Sequence, residues 1–153
     1  MFQHILLPID GSASANAAVE KAIAIAKAFG STILPICVID PYPFTGVGTD
    51  FGYGQDQYLS AARADAAAAI TAAQAQFDAA GIAVQPRVVE AHAIWRGILD
   101  TAHEVGADLI VMGSHGRRGL EKLVLGSVAQ SVLARADIST LVVRMPNKES
   151  SGA

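Results

Sequence analysis

The stretch Asp108-Leu-Ile-Val-Met-Gly-Ser-His-Gly-Arg-Arg-Gly-Leu-Glu-Lys-Leu-Val-Leu-Gly-Ser127 decides the fold. Its first five residues are a short apolar run, the pattern of a strand buried on both faces. Gly113 then opens a glycine-bearing loop, and Gly126-Ser127 starts a helix predicted to end at Ala136. Thr140 to Arg144 (Thr-Leu-Val-Val-Arg) is the next apolar run. Strand, loop, helix and strand in that order form one crossover unit of a parallel sheet.

The same rhythm extends upstream. Phe2 to Ile9 is an apolar strand stopped by Asp10-Gly11, with Ser12 or Ser14 as a cap for the following helix, which closes at Phe29-Gly30. Ala17, Ala18, Ile23, Ala24 and Ala28 are its expected apolar positions. Thr32 to Asp40 is a second strand, and Pro35 within it marks an edge, a bulge or a position that needs no ladder donor. Residues 41–57 hold two prolines and four glycines and are expected to form a long loop, a lid or an interface. Tyr58 to Ala80 is a helix with Leu59, Ala66, Ile70, Ala73 and Phe77 on one face. Ile82 to Glu90 is a third strand, and Ile94 to Glu104 a short helix. Five continuous apolar strands, each crossover carrying a helix, predict a parallel sheet with helices on both faces. Ligands of such sheets bind at the carboxyl ends of the strands, here after Ile9, Ile39 and Met112.

Composition narrows the function classes. The chain has 153 residues, 52% apolar and 16% charged, enough for one domain with a real core. The longest near-apolar run, Ala66 to Ala73, falls far short of the roughly 20 residues of a membrane span, so no membrane insertion is expected. A net charge of -3 argues against a nucleic-acid partner. The N-terminus lacks a basic segment followed by a long apolar one, so a cytoplasmic location is expected. Cys37, the single cysteine, allows no intrachain disulfide and reads as a small buried hydrophobe. His4, His92 and His103 have no metal-ligand spacing. Trp95 reads as a core or interface residue.

The glycine loop carries the chemistry. Glycine lets a backbone approach a ligand closely, and a helix N-terminus offers unpaired N–H groups and a partial positive charge. Together they favour a bound anion, phosphate above all. Ser127 serves either as a cap or as a hydroxyl donor to phosphate. The common phosphate-loop patterns are not present; the spacing is G-x-x-G, nine residues, then G-S. A glycine turn followed by an ordinary capped helix is the bland alternative.

Gly113, Gly116, Gly126 and Ser127 occupy every fixed position of the pattern G-x-x-G-x9-G-[ST]. On that pattern the chain resembles the ATP-binding branch of the universal stress proteins. The opening Ile-Leu-Leu-Pro-Ile-Asp-Gly-Ser and closing Leu-Val-Val-Arg are similar to the family too, over residues 1 to about 145. The resemblance implies a Rossmann-like, five-stranded parallel sheet of order 3-2-1-4-5 in a single domain, with a tail at 146–153. It implies ATP, with Mg²⁺ held through the phosphates, at the carboxyl edge. It implies that Asp10 lies near ribose and adenine, with Pro8 and Ile9 lining the same cleft. The backbone of Val38 would read the adenine edge, and Met112 and Gly113 would lie beside the ribose. Gly116, Gly126, Ser127 and Val128 would cradle phosphate. It further implies a homodimer through Thr140 to Arg144, an apolar edge strand that invites pairing.

Three function classes stand at this point: a nucleotide-binding regulatory protein with a regulatory protein partner, a slow ATPase or phosphotransfer enzyme, and a nucleotide-free dimeric scaffold. Phosphoryl transfer wants positioned charge and an oriented nucleophile. No paired carboxylate or P-loop lysine is evident, so no catalytic residue is assigned and regulation is favoured. His115 is tempting as a base, but reads as a solvated loop residue. Arg117, Arg118 and Lys122 either screen phosphate charge or form a solvated face.

Overall fold

The structure, a computed structural model, describes residues 1–41, 51–115 and 125–145, without the side chains of residues 51–53 and 55. Nine elements alternate along the chain: β1 (His4–Pro8), α1 (Ala13–Phe29), β2 (Thr32–Ile39), α2 (Phe51–Ala80), β3 (Arg87–Glu90), α3 (Ile94–Val105), β4 (Leu109–Gly113), α4 (Ser127–Arg135) and β5 (Thr140–Val143). The strands form one parallel sheet of order β3-β2-β1-β4-β5, the expected order.

Strand alternation sorts the core into two layers. Ile5, Leu7 and Ile9 pack with Ala18, Val19 and Ala22 of α1 and with Ala66, Ala73 and Phe77 of α2. Leu6, Ile110 and Met112 point the other way, onto Ile98 and Ala102 of α3 and Ala129 and Val132 of α4. Both faces of the central strands are therefore apolar, which is why they read as unbroken hydrophobic runs. Small residues let the helices sit close. A Cβ on Gly97 of α3 would lie 2.7 Å from Val38 Cγ1, so α3 rests directly on β2.

Several boundaries differ from the sequence-based expectation. α2 begins at Phe51, so residues 51–57 are helical rather than loop. Gly52 and Gly54 each cost only about 1 kcal/mol within a helix, and no proline after Pro43 blocks extension of an alanine-rich helix once nucleated. The expected lid or interface otherwise falls on residues 42–50, outside the described residues, as does the tail at 146–153. β3 is short: the stretch 82–86 is not strand, because Pro86 lacks an N–H for the ladder. Ile82 and Val84 instead pack against the α1/α2 side of the core. β1 starts at His4 because Phe2 takes a left-handed φ of 55° and stacks edge-on against Phe29. The apolar stripe of α1 also differs in phase. Ala15, Ala18, Val19, Ala22 and Ala26 are buried, whereas Ala24 and Ala28 are exposed. Alanine on every side of a helix carries little information about which side faces inward.

Pro35 is neither at an edge nor at a bulge. Thr32 N–H donates to Gln3 O and Ile36 O accepts from Ile9 N–H, so the even-numbered residues of β2 face β1. Pro35 therefore turns its nitrogen toward β3, one residue before that pairing begins at Ile36–Arg87. It sits where no donor is required.

Candidate functional site

The chain winds outward from β1 to β2 and β3, then crosses back to β4 and β5. The strand order reverses between β1 and β4, and a crevice opens beyond their carboxyl ends. A cavity of about 640 Å³ occupies it, within the size range of small-molecule sites.

Strand ends and a helix start supply the lining on the sheet side. β1 and the turn after it contribute Pro8, Ile9 and Asp10. β2 contributes Val38, and β4 contributes Met112 and Gly113. The start of α4 contributes Gly126, Ser127 and Val128. One cavity thus gathers the site residues named from sequence, save Gly116, which lies outside the described residues together with Arg117, Arg118 and Lys122.

The local chemistry of these residues differs in detail. Asp10 Oδ1 accepts the Ser12 N–H at 2.9 Å, and Ser12 Oγ caps α1 by accepting the Ala15 N–H at 3.1 Å. Asp10 therefore shapes the β1–α1 turn as well as lining the cavity. Gly113 is needed for packing: a Cβ there would lie 2.5 Å from Ser14 Oγ and 2.7 Å from the Ser14 carbonyl carbon. The N-terminus of α1 presses on the end of β4 at that point. Ser127 is not a cap. The N-cap of α4 is Gly126, in extended conformation (φ -63°, ψ 159°) with no side-chain cap bond. Among the described residues, the first turn of α4 therefore has no side-chain cap where it lines the cavity.

The two limbs of the glycine loop are tied to each other. Ser114, almost fully buried, donates its N–H to Val143 O at 2.9 Å and accepts the Gly126 N–H at 2.7 Å. His115 is half-buried and held in place rather than loose in solvent. Its main-chain N–H donates to Ser14 Oγ at 3.2 Å, and its Nδ1 lies 3.0 Å from Ser114 Oγ.

Charge across the cavity is asymmetric. Asp10, Asp40 and Asp65 line it on the β1, β2 and α2 side, and the open start of α4 lies on the β4 side. Among the described lining residues no Lys or Arg appears. Tyr58, Ala61, Ala62, Asp65 and Ala66 of α2 form a wall that the sequence reading missed. Their spacing of i, i+3, i+4, i+7 and i+8 marks one helix face, but alanines gave no reason to place it at a site. Among the described residues no group of three or more His, Cys, Asp or Glu side chains is placed to hold a metal ion. No helix among them is long and apolar enough to cross a membrane.

Known proteins share this arrangement. The family model described as "Universal stress protein family" matches residues 1–144. Universal stress protein MJ0531 of Methanocaldococcus jannaschii is 33% identical over 149 residues, 97% of this chain and 86% of that protein. Among solved structures, universal stress protein UspA from Lactobacillus plantarum superposes with a TM-score of 0.81 at 25% identity, covering 94% of this chain and 98% of that one. A universal stress protein in complex with cAMP gives 0.70 at 26% identity, covering 95% and 99%. With the sheet order, the crevice and the match along nearly its whole length in agreement, the chain belongs to the universal stress protein family.

Proposed function

We propose that this chain is a stress-response regulatory protein that binds an adenine nucleotide, ATP with Mg²⁺, in the crevice between β1 and β4, and that occupancy sets its conformation or partner choice. The observation that carries this reading is the uncapped start of α4, opening on a cavity of about 640 Å³. Unpaired first-turn N–H groups with a partial positive charge suit phosphate. The residues fit a nucleotide in polarity too. Carboxylates at one end suit the hydroxyl and amino donors of a nucleoside, and the helix start at the other suits phosphate. With Asp10, Asp40 and Asp65 lining the cavity, a triphosphate gains from arriving with a cation. Mg²⁺ keeps several waters and leans on phosphate oxygens, so one or two protein ligands suffice. The cAMP bound by one structural neighbour is an adenine nucleotide of the same chemical class.

A second copy of the chain is part of the same proposal. β5 pairs only with β4 among the described strands, and Leu141 on it is 38% exposed. An apolar edge strand is a template for pairing, and a two-fold partner would cover it.

The test is to denature purified protein and identify any released nucleotide by chromatography and mass. Gly126→Val, which puts a branched side chain where backbone would meet phosphate, runs in parallel. Expected are ATP or ADP from the wild type, none from a folded Gly126→Val, and a dimeric mass in solution. A wild type that releases nothing and ignores added Mg-ATP would sink the nucleotide reading and favour a dimeric scaffold.

A further inference from the structure

We infer that the seam between α3 and α4 docks a short acidic segment of a partner protein, held by Arg96 and Arg135 from their positions over the Trp95 ring. The inference goes beyond the nucleotide reading and stands whether or not the cavity is filled.

Trp95, the only tryptophan of the chain, is half-buried. It packs against the core cluster that holds Ile98 and Leu99 of α3 and Ala129 and Val132 of α4. Two guanidinium groups share its ring. Arg135 Cζ lies 4.4 Å from the ring centroid and Arg96 Cζ lies 5.2 Å from it, both close enough for a cation–π contact. Both arginines are exposed. Among the described residues neither has an acidic partner, whereas Arg63 and Arg87 are taken up by Glu90 and Glu104.

An aromatic ring holds a guanidinium without using its N–H donors. The planar edge, which matches a carboxylate bidentately, stays available. A loose surface arginine must give up rotamer freedom to hold an anion; one already resting on a ring has given up part of it. Two such forks are gathered about one aromatic centre, and tryptophan and arginine are the residue types that dominate the energetics of protein interfaces. The surroundings limit what anion suits them. Asp100 stands one turn along α3 from Arg96, and Asp137, two residues past Arg135, is bonded to His103. The seam is therefore balanced in charge rather than basic, and the chain carries -3 overall. A polyanion such as nucleic acid gains little at such a surface. Carboxylates spaced along a peptide can each meet one fork, while the peptide covers what is exposed of the indole.

The single tryptophan gives the test its readout. Capped hexaglutamate is titrated into the protein at low salt, followed by Trp95 emission and by the Arg Nε–H and indole N–H resonances. Inorganic phosphate and hexathymidylate are titrated in parallel. The expected result is saturable binding of hexaglutamate, with a Kd of about 1 mM or tighter, that shifts the indole resonance and two Arg Nε–H resonances. Arg135→Gln and Arg96→Gln should each weaken it about tenfold. Arg135→Lys should weaken it nearly as much, because an ammonium keeps the charge but not the fork. Lys21→Gln, an exposed charge on α1, should bind as wild type does. Hexaglutamate that leaves Trp95 and the arginine resonances of wild type unmoved at about 10 mM would overturn the inference. So would full affinity in Arg135→Lys, or an equal loss in Lys21→Gln, since either means charge attraction without a site. Tighter binding of phosphate or hexathymidylate than of hexaglutamate would overturn the assignment to an acidic protein segment.

Discussion

Two helices reach the crevice from opposite layers of the sheet, and their first turns are finished differently. α1 is closed by its own chain: Asp10 holds the Ser12 N–H, and the Ser12 hydroxyl holds the Ala15 N–H. α4 begins at Gly126, which has no side chain to spend on capping. Both starts carry the same backbone dipole and the same surplus of donors. What separates them is whether an oxygen of the protein already occupies the donors. A capped helix start is satisfied and inert, while an uncapped one beside a cavity is a binding surface. The glycine at 126 therefore matters for the oxygen it withholds as much as for the room it leaves. Its φ of -63° is one that any residue adopts, so conformational strain does not explain it.

Closing α4 in the manner of α1 is the sharpest way to break that comparison. Gly126→Asp supplies a carboxylate to cap the helix, at a backbone conformation that accepts it. Helix stability should hold or rise by a few tenths of a kcal/mol, since Asp is a slightly better cap than Gly. Nucleotide binding should suffer, because the new charge repels phosphate. At about 5 Å and an effective dielectric of about 20 the repulsion is about 3 kcal/mol, on the order of a hundredfold in affinity. Calorimetry with Mg-ATP and a thermal melt on the same sample read both effects. Unchanged affinity in a folded Gly126→Asp would mean that phosphate does not lie at this helix start.

Opening α1 should have the opposite profile. Ser12→Ala removes the cap and should cost about 1 kcal/mol of stability, read by chemical denaturation. Ser12 does not line the cavity, so ATP affinity should stay within about twofold of wild type. A large loss of affinity with little loss of stability would show that the two helix starts act together on one ligand.

These differences were unevenly legible in the sequence. The sheet and its helices follow from apolar runs bounded by glycine and from spacing, because burial on both faces leaves a plain signature in β1, β2 and β4. Where alanine fills a helix the signature fades. The burial phase of α1 and the α2 wall around Ala61, Ala62 and Ala66 were hidden for that reason. Glycine is also ambiguous when read alone. Gly113 permits close packing against Ser14, Gly126 leaves a helix start uncapped, and Gly97 lets α3 rest on Val38. One residue type does three jobs, distinguished only by what stands opposite. The anchoring of His115 by Ser14 joins residues 101 positions apart, which no local pattern reveals.

The opposite end of a helix offers the smallest and most specific test. His103 lies in the last turn of α3, where a cation suits the dipole. Its Nε2 is 2.8 Å from Asp137 Oδ1 and its Nδ1 is 2.9 Å from Leu99 O. Both nitrogens face acceptors, and only the protonated ring donates to both. The hydrogen bond to Asp137, followed by that to the Leu99 carbonyl, raises its pKa above the ordinary 6.5. A raised folded pKa stabilises the fold fully below the unfolded value, and that contribution disappears as pH rises through the folded value. Asp108 works in the other direction. The His4 and Gln3 N–H groups lower its pKa from the ordinary 3.8. Its contribution is present above that value and is lost as pH falls through the lowered one. The two windows do not overlap, so each is read by itself. Asp137→Asn should lower the melting temperature slightly at about pH 5 and leave it unchanged at about pH 9. An equal penalty at both pH values would mean that Asp137 holds the end of α3 by packing or by a neutral hydrogen bond, and that the charge on His103 contributes nothing to that helix end.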